Sequence, residues 1–269
     1  MLRSFTLLIL FLFVVIPRGI GQIRIAYYDL DRLYDTSASL FYDDTDYTPQ
    51  GRNRWNNERY SHKIRQVAAV IDTMQVEVMA LYGVENEQVV RDLAMTLEGD
   101  YTYLHQTLNA LDGMDFALLY KADKLEVLRS TAKRSLLTIE ALIAGDTVAM
   151  VLGVDPRFVR LEMQEQRDEH PTRPMVVAGR IASIDPTPYG LIDRLAAPAS
   201  RGHGNRIRNG GWQMRDRIFT PPVSTTSEGA VYVQSTMIDP HSGEPLPTYR
   251  SGRYVGGIGR YLPVWCRFR

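Results

Sequence analysis

Short apolar runs of strand-type composition recur along the whole chain, and amphipathic helical segments alternate with them mainly in its first half. The runs that predict strands are 23–28, 76–82, 116–120, 125–130, 136–143, 147–152, 175–178, 215–219, 230–234 and 261–268. The helical segments run from Asn56 or Asn57 to about Met74, from Glu87 to Leu97 and from Asp155 to His170. Neither an internal repeat nor a low-complexity linker interrupts this pattern, which predicts one large α/β domain of layered sheets.

The first and the last of these helices are expected to pack differently. In the first helix, apolar side chains at spacings of three and four form one face, which predicts burial against a sheet. They are Tyr60, Ile64, Val67, Ile71 and Met74. The segment 155–170 is very polar, which favours a position on the outside of the molecule. Gly145-Asp146 predicts a hairpin turn between the strands on either side of it.

The first 21 residues have the composition of an export signal. Arg3 precedes an unbroken apolar run over residues 5–16, and small residues follow that run. This order is typical of a secretory signal peptide that is cut near Gln22. The run is shorter than the ~20 apolar residues that cross a bilayer, and an uncleaved anchor is the alternative interpretation. We therefore expect 1–21 to be a signal peptide and 22–269 to be an exported, periplasmic or extracellular domain without a stable membrane anchor.

Positive and negative side chains are balanced, with 31 Lys and Arg against 31 Asp and Glu. Without Arg3 and Arg18 of the expected signal peptide, the net charge is about −2. Such a surface offers no general field for nucleic acid, whose binding depends on neutralising phosphates, although a local basic pocket stays compatible with it. The single cysteine, Cys266, cannot form an internal disulfide, so the apolar core must hold an exported domain together.

Two polar loops are candidates for function. Residues 35–56 are rich in Asp, Thr and Tyr, and the loop is long for a simple connection. Residues 202–211 are dense in Gly, Arg and Asn, but no helix evidently follows them. A phosphate cradle needs such a helix, so a flexible surface loop is the favoured interpretation.

Six segments of the chain occur in an informative order and spacing. They are Arg24 to Asp35, Tyr47 to Gly51, Trp55 with Glu58-Arg59-Tyr60 and Lys63, Leu81 to Asn86, Gly113 to Tyr120, and Leu262 to Val264. Together they resemble exported bacterial members of the endonuclease/exonuclease/phosphatase superfamily, whose first strand typically ends in Asn-Val-Glu-Asn-Leu-Phe-Asp. The resemblance covers essentially all of residues 22–269.

The resemblance implies an α/β four-layer sandwich, in which two packed mixed β-sheets are flanked by helices. It also implies an active site where loops from both sheets meet, built for hydrolysis of phosphodiesters or phosphomonoesters. In that family an Asn and a Glu hold a divalent ion, an Asp and an Asn orient water and phosphate, and an Asp–His pair assists. Such chemistry needs a hard cation to neutralise the developing phosphoryl charge.

The family's polar site residues are replaced at most of the matching positions of this chain. The first-strand Asn is Asp29, and the metal-binding Glu of the second strand is Gly83. The His of an Asn-His-Trp-Pro stretch falls at Gly153. Asp115 and Asp216, which match supporting positions, keep their acidic character.

The end of the chain departs from the family in the same way. The run 175–179 reads as a buried strand that enters a glycine turn, and the catalytic Asp and Asn of that turn are Arg180 and Ala182. The closing Asp–His pair becomes Arg260 and Tyr261. The flanking apolar and glycine positions persist, so we expect a pseudoenzyme without catalytic residues or a cofactor. Its expected role is binding or scaffolding, toward an anionic small molecule or a protein partner that the sequence does not identify.

The alternative is a divalent-metal-dependent phosphodiesterase or nuclease with a rebuilt Mg²⁺ or Mn²⁺ site. Asp29, Asp31 and Glu85 would hold the ion, and Asp115 or Asp216 would orient water, since hard cations take oxygen ligands. These carboxylates and others in 35–46 lack the spacing of a calcium-binding loop, which favours a solvated acidic surface. No pair of histidines has zinc-site spacing, and no serine lies in a nucleophile elbow.

Arg180 and Arg260 replace acidic positions that lie near one phosphate in the family. Two guanidiniums could therefore bind an oxyanion without a metal ion. The alternative, which the chemistry of a dismantled site favours, is that each arginine pairs with a leftover carboxylate such as Asp29, Asp216 or Asp115.

Overall fold

The computed structural model describes residues 22–108, 110, 112–222 and 229–268, so the expected signal peptide lies outside the described residues. In chain order the strands are β1 (Ile23–Leu33), β2 (Val78–Val84), β3 (Thr102–Gln106), β4 (Asp115–Tyr120), β5 (Leu125–Lys133), β6 (Leu136–Ile143), β7 (Asp146–Gly153), β8 (Met175–Gly179), β9 (Ile192–Asp193), β10 (Arg206–Arg208), β11 (Gly211–Gln213), β12 (Arg217–Thr220), β13 (Ala230–Val231), β14 (Tyr249–Arg250), β15 (Arg253–Tyr254) and β16 (Val264–Phe268). The helices are α1 (Asn57–Met74), α2 (Glu87–Thr96), α3 (Pro156–Glu169) and α4 (Ala196–Ser200).

Two six-stranded sheets form the middle of the molecule. The first has the strand order β13-β16-β1-β2-β4-β3, and the second has the order β5-β6-β7-β8-β12-β9. β1 pairs with β2 and β7 with β8 in parallel, while their other neighbours pair in antiparallel, so both sheets are mixed. β12 of the second sheet contacts β1 and β16 of the first, which brings the ends of these strands together.

Helices cover the outer faces of the sheets because their apolar stripes need a partner surface. α1 and α2 bury their apolar stripes in the main core. α3 buries Val159 and Met163 in a smaller cluster on the outer face of the second sheet. α1, α2 and α3 begin where the sequence placed them, and the side chains of Asn56, Asn86 and Asp155 cap their first turns, whereas the short helix α4 was not predicted. The predicted four-layer α/β sandwich is confirmed, and in the described residues no helix is long and apolar enough to cross a membrane.

Several details differ from the sequence prediction. The hairpin turn between β6 and β7 is Ala144-Gly145, one residue earlier than predicted, because Ile143 pairs with Asp146. Both turn residues have positive φ, as a two-residue type I′ turn requires. The loop 202–211 contains β10, which pairs with β11, and only Ala230–Val231 of the strand predicted over 230–234 forms.

Candidate functional site

Two adjoining cavities open where β1 and β2 end. The larger, of about 150 Å³, is called the inner chamber, and it is lined by Asp29, Asp31, Arg32, Tyr82, Gly83, Asp112, Met114, Arg180, Arg260 and Tyr261. The smaller, of about 110 Å³, is called the aromatic chamber, and it is lined by Asp31, Arg32, Tyr47, Trp55, Thr248, Tyr249 and Arg260. The chambers share three residues, so they form one cleft.

A bulge at the end of β1 shapes this cleft. Asp29 pairs with Tyr82 and Leu33 with Val84, so extra residues on β1 lie between these two register positions. Among them, Asp31 and Arg32 have φ values of 49° and 71°, which side-chain-bearing residues seldom adopt. The carboxylate of Asp29 accepts a hydrogen bond from the Asp31 backbone N–H at 3.0 Å, which helps to hold this conformation.

Gly83 and Lys63 also support the bulge. Gly83 has a φ of 86°, and a Cβ atom at this position would lie 3.2 Å from the backbone nitrogen of Arg32. The buried Lys63 ammonium donates to the Arg32 carbonyl at 2.8 Å. Burial lowers the pKa of Lys63 to about 8. A glycine at 83 therefore makes room for the bulge and presents no side chain to the cleft.

Two arginines from the second sheet surround the carboxylate of Asp29. Arg180 follows β8, and its Nε and Nη2 donate to Asp29 Oδ2 at 3.1 and 2.8 Å. Arg215 precedes β12, and its Nη2 donates to the same oxygen at 2.5 Å. The side chain of Asp29 is only 1% exposed, so both guanidiniums neutralise a carboxylate that is shielded from water.

Arg215 links Asp29 to a second buried carboxylate. Its Nε and Nη2 donate to Asp216 Oδ1 and Oδ2 at 2.9 and 3.0 Å, and Asn205 Nδ2 donates to Oδ2 at 2.5 Å. Burial raises the pKa of Asp216, and the Arg215 guanidinium opposes this rise. The Arg215 guanidinium also lies 3.4 Å from the ring centroid of Tyr261, which adds a cation–π contact.

Arg260 pairs with a different carboxylate from Arg180. Its Nε and Nη2 each donate to Asp31 at 2.9 Å in a bidentate arrangement. The Arg260 side chain is 66% exposed, so this pair lies at the rim of the cleft. Arg180 and Arg260 thus line the same chamber, and each is paired with a carboxylate, as the favoured interpretation of the sequence expected, although the partner of Arg260 is Asp31.

Other predicted site residues lie outside the chambers. Asp115 accepts hydrogen bonds from the Leu108 N–H at 2.7 Å and contacts His105 Nε2 at 3.1 Å. Ala182 is exposed and lines neither chamber. Gly153 faces α3, since a Cβ atom there would lie 2.2 Å from Val159 Cγ2, and this position has no room for a side chain.

The donors of this cleft do not fit a divalent ion. Gly83 offers no ligand, Asp29 is saturated by arginines and Asp31 is paired with Arg260. Glu85 turns to the loop that follows β1, where it accepts from Tyr42 and from a backbone N–H. Within the described ranges, no three His, Cys, Asp or Glu side chains are grouped so that they could hold a metal ion. The convergence expected for Asp29, Asp31 and Glu85 is therefore not found.

The sequence model of the endonuclease/exonuclease/phosphatase family matches residues 24–157, which include β1, β2 and the bulge. Over these residues, about half of its length, the chain is similar to the endonuclease/exonuclease/phosphatase family. Among curated proteins, none matches the chain significantly.

Solved structures of the superfamily share the fold. An endonuclease/exonuclease/phosphatase from Bacteroides vulgatus is similar with a TM-score of 0.57 and 13% identity, over 93% of this chain and 99% of that chain. D. rerio TDP2 complexed with a single-strand DNA product is similar with a TM-score of 0.59 and 13% identity, over 93% and 99%. The mannosyl-6-phosphatase Bt3783 of Bacteroides thetaiotaomicron gives a TM-score of 0.54 and 11% identity, over 92% and 100%. At these identities the likeness shows the superfamily fold alone.

Sequence reasoning missed Arg215, Arg32 and Asn205, although all three take part in or border the cleft. Arg215 directly precedes Asp216, which the resemblance to the superfamily had identified, and a cation beside a buried acid is a usable signal. Arg32 lies inside the first matching segment. Asn205 lies in the loop that was interpreted as flexible, and nothing in its local sequence indicates its bond to Asp216.

Proposed function

We propose that this protein is an exported endonuclease/exonuclease/phosphatase domain that has lost hydrolytic activity and acts as a binding or scaffold module. One observation carries the proposal: Arg180 and Arg215 occupy the carboxylate of Asp29, at the position where the superfamily pattern places a metal ligand. The second expected ligand position is Gly83, which has no side chain.

Electrostatics argue against a metal ion beside these arginines. The two guanidiniums carry a charge of +2 together, and both approach one oxygen of Asp29 within 2.8 Å. A Mg²⁺ ion bound to that carboxylate at about 2.1 Å would lie within a few ångströms of both cations. Repulsion between such charges in a partly dry cleft costs several kcal/mol unless the arginines leave, and their leaving would expose buried partners.

The alternative, a phosphodiesterase or nuclease with a rebuilt Mg²⁺ or Mn²⁺ site, needs Asp29, Asp31 and Glu85 at one point. Each of these carboxylates instead has its own donors, and Glu85 belongs to the base of the loop after β1. Asp115 and Asp216, the suggested water-orienting groups, are likewise bonded to other residues. These contacts favour the inactive protein over the rebuilt enzyme.

Hydrolysis assays test this proposal directly. The purified protein is incubated with Mg²⁺ or Mn²⁺ and with bis-para-nitrophenyl phosphate, plasmid DNA or phospholipid. We expect no turnover above that of a preparation from cells with the empty vector. Turnover above that level, lost in Asp29→Ala, would refute the proposed loss of activity.

Arg180 and Arg260 are proposed to serve first as partners of carboxylates and only second as an oxyanion site. Calorimetry with phosphate and sulfate compares the wild type with Arg180→Ala plus Arg260→Ala. Equal, weak binding in both proteins is expected, because Asp29 and Asp31 already occupy the two guanidiniums. Much weaker binding in the double variant would show that these arginines hold anions.

Export is proposed from the apolar run over 5–16 and the small residues after it. After expression of the full chain in a bacterium with a general secretion pathway, we expect a mature protein whose N-terminus is Gln22 or a near neighbour. N-terminal sequencing of the soluble periplasmic or secreted fraction gives this readout. Recovery of the uncut chain in the membrane fraction would instead support the anchor interpretation.

A further inference from the structure

Arg32 lines the cleft but is not part of the ion-pair network around Asp29, Asp31 and Asp216. Three arginines line the two chambers, and Arg180 and Arg260 are paired with carboxylates. Arg32 is exposed and forms no salt bridge within the part of the chain that the structure describes. The Tyr47 hydroxyl lies within hydrogen-bonding reach of its guanidinium, and Tyr34 and Asp112 lie near it, with Asp112 beyond the 4.0 Å of an ion pair.

Arg32 lies at the junction of the two chambers, and its backbone has an unfavourable conformation there. Arg32 lines both chambers, and it follows Asp31 in two consecutive left-handed conformations. Residues with side chains adopt this strained conformation only where the surrounding structure holds them in it. Here Lys63 holds the Arg32 carbonyl, and Gly83 leaves space for the Arg32 nitrogen.

The aromatic chamber offers a surface for a ring beside this cation. Tyr47 and Tyr249 line it with ring centroids 6.1 Å apart and planes at 88°, and Trp55 lies 6.2 Å from Tyr249. Aromatic faces stack on planar or sugar rings, and a guanidinium fork matches the oxygens of a carboxylate, phosphate or sulfate. A chamber of about 110 Å³ corresponds to roughly four waters at ~30 Å³ each, which is room for one six-membered ring.

We infer that the cleft binds a small compound in which a ring carries one oxyanion, with the ring in the aromatic chamber and the oxyanion on Arg32. This inference rests on the proposed function, because it names the ligand class of a cleft that binds without hydrolysis. Around the aromatic chamber, Asp31 and Arg260 neutralise each other, so Arg32 leaves a net positive charge for the oxyanion. No metal ion is needed for this recognition.

Calorimetry in the presence of EDTA tests the inference with three ring oxyanions and one probe without a ring. The ring probes are phenylphosphonate, benzoate and benzenesulfonate, and comparison among them tells which oxyanion is preferred; methylphosphonate lacks the ring. We expect at least one ring probe to bind at up to about 10 mM, and methylphosphonate to bind at least about tenfold more weakly than phenylphosphonate. Failure of all three ring probes would overturn the inference, and equal affinity of the two phosphonates would overturn the role of the aromatic chamber.

Variants of Arg32 identify the residue that holds the oxyanion. Arg32→Gln should weaken the best ring probe by about tenfold or more, since it removes the charge. Arg32→Lys keeps the charge but not the fork, and a loss of several-fold is expected. The control is Arg65→Gln on the exposed face of α1, outside both chambers, which should bind as the wild type does.

Unchanged affinity in both Arg32 variants would overturn the inference. If Arg32→Gln fails to fold, Arg32→Lys still gives a valid test. Thermal unfolding of each variant reports whether the bulge is intact. Phenylphosphonate has a P–C bond that phosphoesterases do not hydrolyse, so its binding is independent of activity. Phosphate release from phenyl phosphate with Mg²⁺ would contradict the proposed loss of activity alone, whereas absent binding would contradict only this inference.

Discussion

The buried carboxylate of Asp29 is neutralised by two arginines that adjoin strands of the second sheet. Arg180 and Arg215 supply charge, hydrogen-bond donors and planar surface, and the rings of Tyr82 and Tyr261 lie under them. Such an arrangement satisfies a buried carboxylate permanently, whereas a metal ion could dissociate. Arg180 and Gly83 therefore have complementary effects on the inner chamber: Arg180 brings a cation to it, and Gly83 adds no carboxylate.

Arg215→Met is expected to reduce the free energy of unfolding by about 3–5 kcal/mol, because it leaves Asp29 and Asp216 buried with fewer partners. Urea denaturation measures this loss. Methionine keeps much of the packing on Tyr261, so the charge is the main change. The matched control is Arg260→Met, whose side chain is 66% exposed, and it should cost about 1 kcal/mol or less. Equal losses in the two variants would contradict the central place of Arg215.

Gly83→Ala should destabilise the protein more than Gly145→Ala does. Both glycines have nearly the same positive φ, 86° and 89°, so both variants carry the same backbone penalty of about 1 kcal/mol. Only at Gly83 does the added Cβ meet an atom, the Arg32 nitrogen at 3.2 Å, whereas nothing lies within 4 Å at Gly145. Thermal unfolding of both variants gives the difference. A smaller loss at Gly83 would mean that the bulge yields easily, which would also weaken the case for Arg32 as a fixed residue.

Among the secondary-structure elements, those with long apolar runs could be predicted from the sequence. Leu136–Ile143 and α1 were predicted with their observed ends, since continuous apolar or amphipathic periodicity specifies them. Thr102–Gln106 was missed because this edge strand is only half-buried and carries polar residues. β10 and β11 were missed because a short hairpin of polar residues has the composition of a loop.

The candidate site could be predicted in part from the sequence. The resemblance identified Asp29, Arg180 and Arg260 as neighbours, and the structure places them around one chamber. The choice of partners could not be predicted, because Asp29 lies 151 residues from Arg180 and 186 from Arg215. That choice depends on how the two sheets pack. Gly153 shows the same limit: whether a strand's last residue faces the cleft or α3 depends on register and packing, which matched motifs do not supply.

The loop after β1 is attached to the first sheet by Glu85, and this attachment should depend on pH. Burial raises the pKa of Glu85 to about 8, and its carboxyl group accepts from Tyr42 at 3.0 Å. The unfolded chain loses this proton near the ordinary pKa of about 4.3, whereas the folded protein keeps it until about pH 8. Glu85 therefore lowers the free energy of unfolding as pH rises through this window, by up to a few kcal/mol.

Glu85→Gln should remove this part of the pH dependence, because glutamine keeps the acceptor without titrating. The measurement is the free energy of unfolding from urea titrations between pH 4.5 and 8, as a difference between variant and wild type. Glu58→Gln, at an exposed position of α1, is the control and should follow the wild type. A parallel profile for Glu85→Gln and wild type would show that Glu85 is ionised throughout.

The molecule as a whole is held across its two sheets by ion pairs at the cleft as well as by the apolar core between the sheets. Asp29 belongs to the first sheet, while Arg180 and Arg215 adjoin strands of the second. A metal ion bound between these elements would stabilise the folded state increasingly as its concentration rises. Here the cations are guanidiniums of the chain itself. We therefore expect the stability of the protein not to depend on the concentration of a divalent ion.

Thermal unfolding with Mg²⁺, Mn²⁺ or EDTA at constant ionic strength tests this expectation. A site with a dissociation constant one hundred times below the ion concentration would contribute about 2.7 kcal/mol and raise the Tm by roughly 5–11 °C. We expect a change of less than about 1 °C, because the cleft offers no free set of oxygen ligands among the described residues. Asp29→Asn serves as the control, since it would abolish a shift that arose at this site. A rise of several degrees that disappears in Asp29→Asn would mean that the arginines yield to a metal ion, and the rebuilt enzyme would then become the better interpretation of the cleft.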